Sequence, residues 1–278
     1  MRATSPRACL LDGRCLIKIS GADAEGFLQN LLTNDVARAA PGELVYACLL
    51  TPQGRFLHDL FVSRDGDGFF LECETDRRED LLRRLNVFKL RARVTMEDCR
   101  DRFEVYVAAN RPEGMPVFRD PRLPELGHRF YIPKGGTGVE RDAAAAYRDR
   151  RIGLGVPEGS PDIKPETDTL ANANLDRLNA VSWDKGCYIG QEVTAMTENR
   201  GVAKRRMVTI SADRLTTGDI LTQDGHAVGE VRAVHSSGTN GLAVIKLAGM
   251  DKSSGPIASS GGYPVSAQLP EWLKLKNI

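Results

Sequence analysis

Val181-Ser-Trp-Asp-Lys-Gly-Cys-Tyr-Ile-Gly-Gln-Glu-Val193 concentrates more chemistry than any other stretch of this 278-residue chain. An apolar, strand-like approach over residues 180–183 meets a turn at Asp184-Lys-Gly, then Cys187, then a helix start expected near Gly190. A cysteine so placed lies close to unpaired backbone N–H groups and to the positive end of a helix, with Lys185 two residues away. Both favour thiolate over thiol. Gly186 and Gly190 let the backbone approach a ligand or take positive φ. Gln191 and Glu192 add an amide and a carboxylate. The residues alone leave two readings open. Cys187 is a candidate reactive thiol in a turn, or it is one more small buried residue, since no histidine is fixed nearby to act as its base.

Working outward, residues 16–20 read as a strand, and Ser20-Gly-Ala-Asp23 fits a capping box with Ser20 as N-cap. Phe27, Leu28, Leu31 and Leu32 then share one helical face, and that helix is expected to end near Thr33-Asn34-Asp35. Residues 44–50 form a buried strand. A turn at Thr51-Pro-Gln-Gly54 leads to a second strand over 55–63 and a third over 69–73. Asp65-Gly-Asp-Gly68 between them is a hairpin turn, because it lacks the distal Glu and the other ligands of a calcium loop. Thr75 or Asp76 is expected to cap a charged helix carrying Leu81, Leu82 and Leu85, followed by a strand near 91–96. A further strand and a Pro-rich connection occupy 103–132, and 140–151 is Ala-rich and helical. After Gly201 the chain turns to short alternating strands with Gly-containing turns, with a Ser/Gly-rich loop over 252–262 expected to be flexible. The fold class is therefore α+β: two interleaved lobes over 1–200 that carry the cysteine motif, then a small C-terminal β-barrel over 201–278.

Composition excludes several functions. Hydrophobic residues make up 41% and charged residues 27%, with a net charge of +1, so no global field steers the chain toward nucleic acid or an anionic membrane. No apolar run approaches the about 20 residues of a membrane span, and the first residues lack a signal-peptide core; a cytoplasmic protein is expected. None of the six cysteines forms a C-x-x-C pair, which reads as reduced thiols, and the four histidines show no metal-binding spacing. Gly153-Leu-Gly-Val-Pro-Glu-Gly159 has the wrong glycine spacing for a dinucleotide loop, and Pro157 and Pro161 forbid the helix that would receive a pyrophosphate.

Lys185-Gly-Cys-Tyr-Ile-Gly-Gln-Glu192 resembles the K-G-C-Y-x-G-Q-E signature of the YgfZ/GcvT-type folate-binding family, in its YgfZ/Caf17 branch. Ile19-Ser-Gly-Ala-Asp-Ala24, Phe27-Leu-Gln29, Leu32-Thr-Asn-Asp-Val36, Leu50-Thr-Pro-Gln-Gly-Arg-Phe56, Arg151-Ile-Gly-Leu-Gly-Val-Pro157 and Arg200-Gly-Val-Ala-Lys-Arg-Arg206 resemble its flanking segments in order. The resemblance implies a three-lobed fold shared with the glycine-cleavage T-protein, around a central channel that holds a tetrahydrofolate. It implies a role in assembling or repairing iron–sulfur proteins, chiefly 4Fe–4S enzymes, with indirect support of tRNA modification. Cys187 is the residue on which that role depends, and Lys185, Tyr188, Gln191 and Glu192 carry over as its surroundings. Trp183 is a stacking candidate for a pterin ring or a packing residue, the two readings being equally open. Partners are then iron–sulfur client enzymes and assembly proteins, with no direct nucleic acid, no membrane, no resident metal and a monomer expected.

The alternative is a folate-dependent aminomethyltransferase, for which Asn34-Asp35 offers the acid, although that pair also reads as a plain helix C-terminal turn. Many relatives carry an arginine where this chain has Met196. Arg200 and Arg206 are candidates to replace it, while Lys204-Arg205-Arg206 reads as a solvated face.

Overall fold

The structure, a computed structural model, describes residues 7–113, 115–136, 139–200, 203–250 and 255–274. Gly201 and Val202, part of the 252–262 loop, and the Arg200 side chain lie outside the described residues. Among the described residues, ten strands precede the cysteine motif: β1 (Arg7–Leu10), β2 (Arg14–Ser20), β3 (Leu44–Leu50), β4 (Phe56–Asp65), β5 (Gly68–Glu74), β6 (Thr95–Asp98), β7 (Phe103–Ala108), β8 (Phe118–Arg119), β9 (His128–Pro133) and β10 (Glu140–Asp142). Six follow it: β11 (Arg205–Ser211), β12 (Ile220–Gln223), β13 (His226–Val234), β14 (Asn240–Lys246), β15 (Ile257–Ala258) and β16 (Pro264–Gln268). The α-helices are α1 (Ala24–Leu31), α2 (Arg78–Lys89), α3 (Ala144–Gly153), α4 (Gly159–Asp162) and α5 (Gln191–Arg200). Strands thus form two five-stranded sheets, β3-β4-β5-β2-β6 and β10-β1-β7-β9-β8, and a closed barrel, β11-β14-β13-β12-β15-β16.

The chain divides into two compact units. One comprises Met1–Pro52, Leu57–Tyr147 and Leu178–Gln191; the other comprises Gln53–Phe56, Arg148–Arg177 and Glu192–Ile278. Residues 148–177 group with the barrel in the second unit. Ion pairs and an amide explain why: Arg206 on β11 meets Asp176 at 2.6 Å, Arg232 on β13 meets Asp168 at 3.0 Å, and Asn174 donates to the Met207 carbonyl at 2.8 Å.

Period-two alternation builds the first sheet. Cys15, Ile17 and Ile19 of β2 and Phe69, Leu71 and Cys73 of β5 point into one apolar cluster with Ala24, Phe27, Leu28 and Leu31 of α1. The intervening positions carry Arg14 and Glu72, which enter a buried ionic network. Arg14 pairs with Asp59 at 2.9 Å and with Glu72 at 3.0 Å. Arg129, from the second sheet, pairs with Glu72 at 2.5 Å and with Asp120 at 3.1 Å, and Asp120 also holds Arg122. Phe61 lies under the guanidinium of Arg129, 3.8 Å from its ring centroid. Both faces of β3 and β5 are therefore covered, and every residue of the two strands is buried.

Two expected helix caps are replaced. α1 starts at Ala24, and the Asp23 carboxylate, which makes no cap bond, accepts instead from the Arg93 N–H at 2.8 Å. α2 starts at Arg78 with Arg77 at its N-cap position; the Thr75 hydroxyl donates to the Asp12 carbonyl. The strand expected near 91–96 begins at Thr95, and 140–142 is strand before α3 begins.

Candidate functional site

The motif is fastened to the C-terminal end of α1. Thr33, just beyond the helix, is stitched on two sides. Its N–H donates to the Cys48 carbonyl (3.0 Å) and its hydroxyl accepts from the Cys48 N–H (2.8 Å), which ties it to β3. The same hydroxyl donates to the Ala180 carbonyl (2.5 Å), and the Thr33 carbonyl accepts from the Ser182 N–H (3.1 Å). The apolar approach expected over 180–183 therefore runs along Thr33 without forming a regular strand. Asn34 is buried, and its two amide protons go to the Tyr46 carbonyl (2.8 Å) and the Asn179 carbonyl (2.7 Å).

Lys185 supplies the next fastening. Its ammonium donates to the carbonyls of Gln29 (2.8 Å), Leu32 (2.8 Å) and Asn34 (2.7 Å), the unpaired acceptors that a helix end leaves. A cation there also complements the helix dipole. Burial pushes the Lys185 ammonium down to about 8, and the nearby Asp35 carboxylate pulls it the other way. Tyr188 is buried with its ring centroid 5.5 Å from that ammonium, and Ile189 packs against the apolar cluster of the first sheet. Gly190 then takes φ +82°, and α5 begins at Gln191.

Between these anchors the chain comes to the surface. Cys187 is exposed, whereas Cys9, Cys15, Cys48, Cys73 and Cys99 are buried; all six are free thiols. The buried-residue reading of Cys187 is thereby replaced. Lys185, expected to act on the Cys187 sulfur, commits its three N–H donors to backbone carbonyls, so its charge is spent on holding the loop. Trp183 is 43% exposed and so is not a core residue, and Glu192 is exposed at the start of α5. Gln191 is half-buried. Asp35 caps a short 3-10 turn: its carboxylate accepts from the Ala37 N–H (3.1 Å) and from the Gln29 amide (3.0 Å).

Met196 is exposed on α5, where an arginine was expected in relatives. Arg206 does not take over that duty, because it is buried against Asp176 and the Ala171 carbonyl, which also corrects the expected solvated face; Lys204 and Arg205 are exposed. Sequence reasoning missed Thr33 and Asn179 as parts of this frame. The only signal for Thr33 was its place beside Asn34, since its partners lie 15 and 147 residues away.

The architecture defines a class. Over 98% of this chain and 87% of the other, it superposes on aminomethyltransferase T of the glycine cleavage system from Bartonella henselae with a TM-score of 0.77, at 17% identity, which establishes the fold. Residues 1–108 match the GCVT N-terminal domain, and residues 204–275 match the CAF17 C-terminal beta-barrel domain. The iron-sulfur cluster assembly factor IBA57 of Homo sapiens is 32% identical over 95% of this chain and 85% of its own length, and that of Mus musculus is 30% identical over 94% and 84%. The homologue from Pyricularia oryzae is 33% identical over 71% of this chain and 55% of its own length. The chain belongs to the YgfZ/GcvT-type family, in the Caf17-related branch that includes these IBA57 proteins.

Proposed function

We propose that this chain is an assembly or repair factor for iron–sulfur proteins, chiefly 4Fe–4S enzymes, and that it acts through Cys187. The observation that carries the proposal is the placement of Cys187: the one exposed thiol of six, on a short loop clamped on both sides by Lys185 and by Tyr188 and Ile189. A single thiolate suits a cluster or partner held in passing, since a stably resident cluster needs about four. Such a role needs no general acid–base pair. The relatives' names as iron–sulfur cluster assembly factors support the same reading. Its partners are then client enzymes and assembly proteins, and any support of tRNA modification passes indirectly through a client. A cytoplasmic setting remains part of the proposal, to be checked by fractionating cells of the source organism; the relatives themselves are named as mitochondrial.

A tetrahydrofolate cofactor is also part of the proposal. Asn34 and Lys185 have their donors committed to backbone, so they frame the loop and leave no proton for a ligand. Trp183 fits, because its exposed indole offers a flat face to a pterin, and Gln191 and Glu192 offer an amide and a carboxylate nearby in sequence. Bound folate would supply one-carbon or redox chemistry. The aminomethyltransferase alternative needs a free acid, and Asp35 is engaged as a turn cap.

The test is complementation. In a bacterial strain lacking its own homologue, wild type and Cys187→Ala are expressed and a 4Fe–4S enzyme is assayed under oxidative stress. Rescue by wild type alone is expected. Equal rescue by both removes Cys187 from the role, and rescue by neither soluble protein overturns the role. For the cofactor, titrated tetrahydrofolate should quench the emission of wild type but not of Trp183→Phe, which retains Trp272.

A further inference from the structure

Cys15 and Cys73 stand directly opposite each other on β2 and β5, and their sulfurs are 3.8 Å apart. Both are buried free thiols, and neither belongs to the motif around Cys187. Residues directly opposed on antiparallel strands have Cβ atoms about 4.5–5.5 Å apart, and a disulfide needs about 3.5–4.5 Å. Side-chain rotation with a small strand adjustment closes that gap.

One member of the pair borders a cavity. Cys15 borders a cavity of about 260 Å³ whose wall mixes the cations Arg14, Arg100 and Lys134 with the acids Asp12, Asp101 and Glu104. The cavity is large enough to admit a peroxide molecule, so a small oxidant can come up to Cys15. The two thiols are unequal. Contact with the Cys73 sulfur, helped by Thr75 and by the Arg14 charge, holds the Cys15 thiol below its ordinary range despite burial. Contact with Cys15, together with burial, pushes Cys73 up. Cys15 borders the cavity and Cys73 does not, so Cys15 is the sulfur that an entering oxidant meets first and Cys73 is the one behind it.

We propose that Cys15 and Cys73 form a second cysteine site, a dithiol oxidised by hydrogen peroxide or a small hydroperoxide. The Cys15 thiolate attacks one peroxide oxygen, the O–O bond breaks, and the other oxygen leaves as hydroxide (alkoxide from a hydroperoxide), which takes up the proton that the Cys15 thiol released and becomes water or the alcohol. Cys15 is now a sulfenic acid. The Cys73 sulfur attacks the Cys15 sulfur, the S–S bond forms, and the sulfenic oxygen leaves with the Cys73 proton as water. With hydrogen peroxide, two thiols and one peroxide give one disulfide and two waters, the thiols losing two electrons.

The test uses the full chain. Wild type and Cys187→Ala are treated with stoichiometric hydrogen peroxide, unfolded in excess maleimide, digested without reductant and mapped. A linked peptide pair joining Cys15 to Cys73 is expected in both. In Cys73→Ala, dimedone should label Cys15. Recovery of Cys15 and Cys73 as maleimide adducts, at doses that oxidise Cys187 in wild type, would overturn the proposal. So would a Cys15 disulfide to any other cysteine. The wild-type map does not depend on any variant folding, and complementation by Cys187→Ala is a separate readout.

Discussion

Replacing Lys185 with methionine tests the claim that the motif is clamped to the end of α1. Methionine keeps most of the side chain's length while deleting the three hydrogen bonds to the carbonyls of Gln29, Leu32 and Asn34 and the approach of the ammonium to the Tyr188 ring. A hydrogen bond from a charged donor contributes about 1.5–3 kcal/mol net. Three such bonds do not sum here, because the side chain is only part-buried and desolvation already pushes the ammonium down to about 8. Water takes over some of the freed carbonyls. Desolvation of the ammonium offsets most of the sum, so the expected net loss is about 2 kcal/mol, that of a single charge-assisted bond. For a protein of this size it corresponds to a fall in Tm of about 4–8 °C. Urea unfolding should show a lower midpoint with an unchanged slope. Hydrogen exchange should quicken at the Ser182 N–H, which donates to the Thr33 carbonyl beside the clamp. An unchanged midpoint together with unchanged exchange over 178–191 would refute the clamp.

The same ammonium gives a pH dependence. Its folded value is near 8 against an ordinary 10.5, so between those values the unfolded chain holds more protons. Stability therefore rises with pH in that window, and the gap between wild type and Lys185→Met should widen from about pH 8 to about 10.5; a narrowing gap contradicts the assignment. Glu72→Gln should cost about 3–5 kcal/mol in denaturant unfolding, because Arg14 and Arg129 would stay buried with one fewer carboxylate. A loss below about 1 kcal/mol would show that the network is not what covers the second face of β5.

Local patterns were legible wherever their causes are local. The apolar run from Leu44 to Leu50 forms β3 over those same residues, and the turn at Asp65-Gly-Asp-Gly68 is a two-residue hairpin with Gly66 at φ +58°. The helical face of Phe27, Leu28 and Leu31 is buried as its spacing requires. What escaped the sequence is set by distant partners. Asp23 is drawn from its cap position to Arg93, 70 residues away, and Lys185 meets acceptors more than 150 residues upstream. Arg14, Asp59, Glu72, Asp120, Arg122 and Arg129 look individually like surface charges, since such residues are rarely buried alone. Strand pairing within the first sheet brings Arg14 to Asp59 and Glu72, and the meeting of the two sheets brings Arg129 to Glu72.

These placements divide the motif by task, and the division has a consequence that experiment can separate. Lys185, Tyr188 and Ile189 have their atoms committed to the frame, while Cys187 is exposed between them. A reactive group set on a rigid support needs both, but each fails differently. Loss of a supporting residue lowers stability and, through it, activity. Loss of the exposed sulfur removes nothing that packs, and surface substitutions of that kind usually shift stability by less than about 0.5 kcal/mol. Cys187→Ala should therefore unfold within that margin of wild type while failing to restore the 4Fe–4S enzyme. If Cys187→Ala instead lost about 2 kcal/mol, the amount assigned to the Lys185 clamp, the sulfur would be part of the frame and its loss of activity would say nothing about chemistry at the thiol.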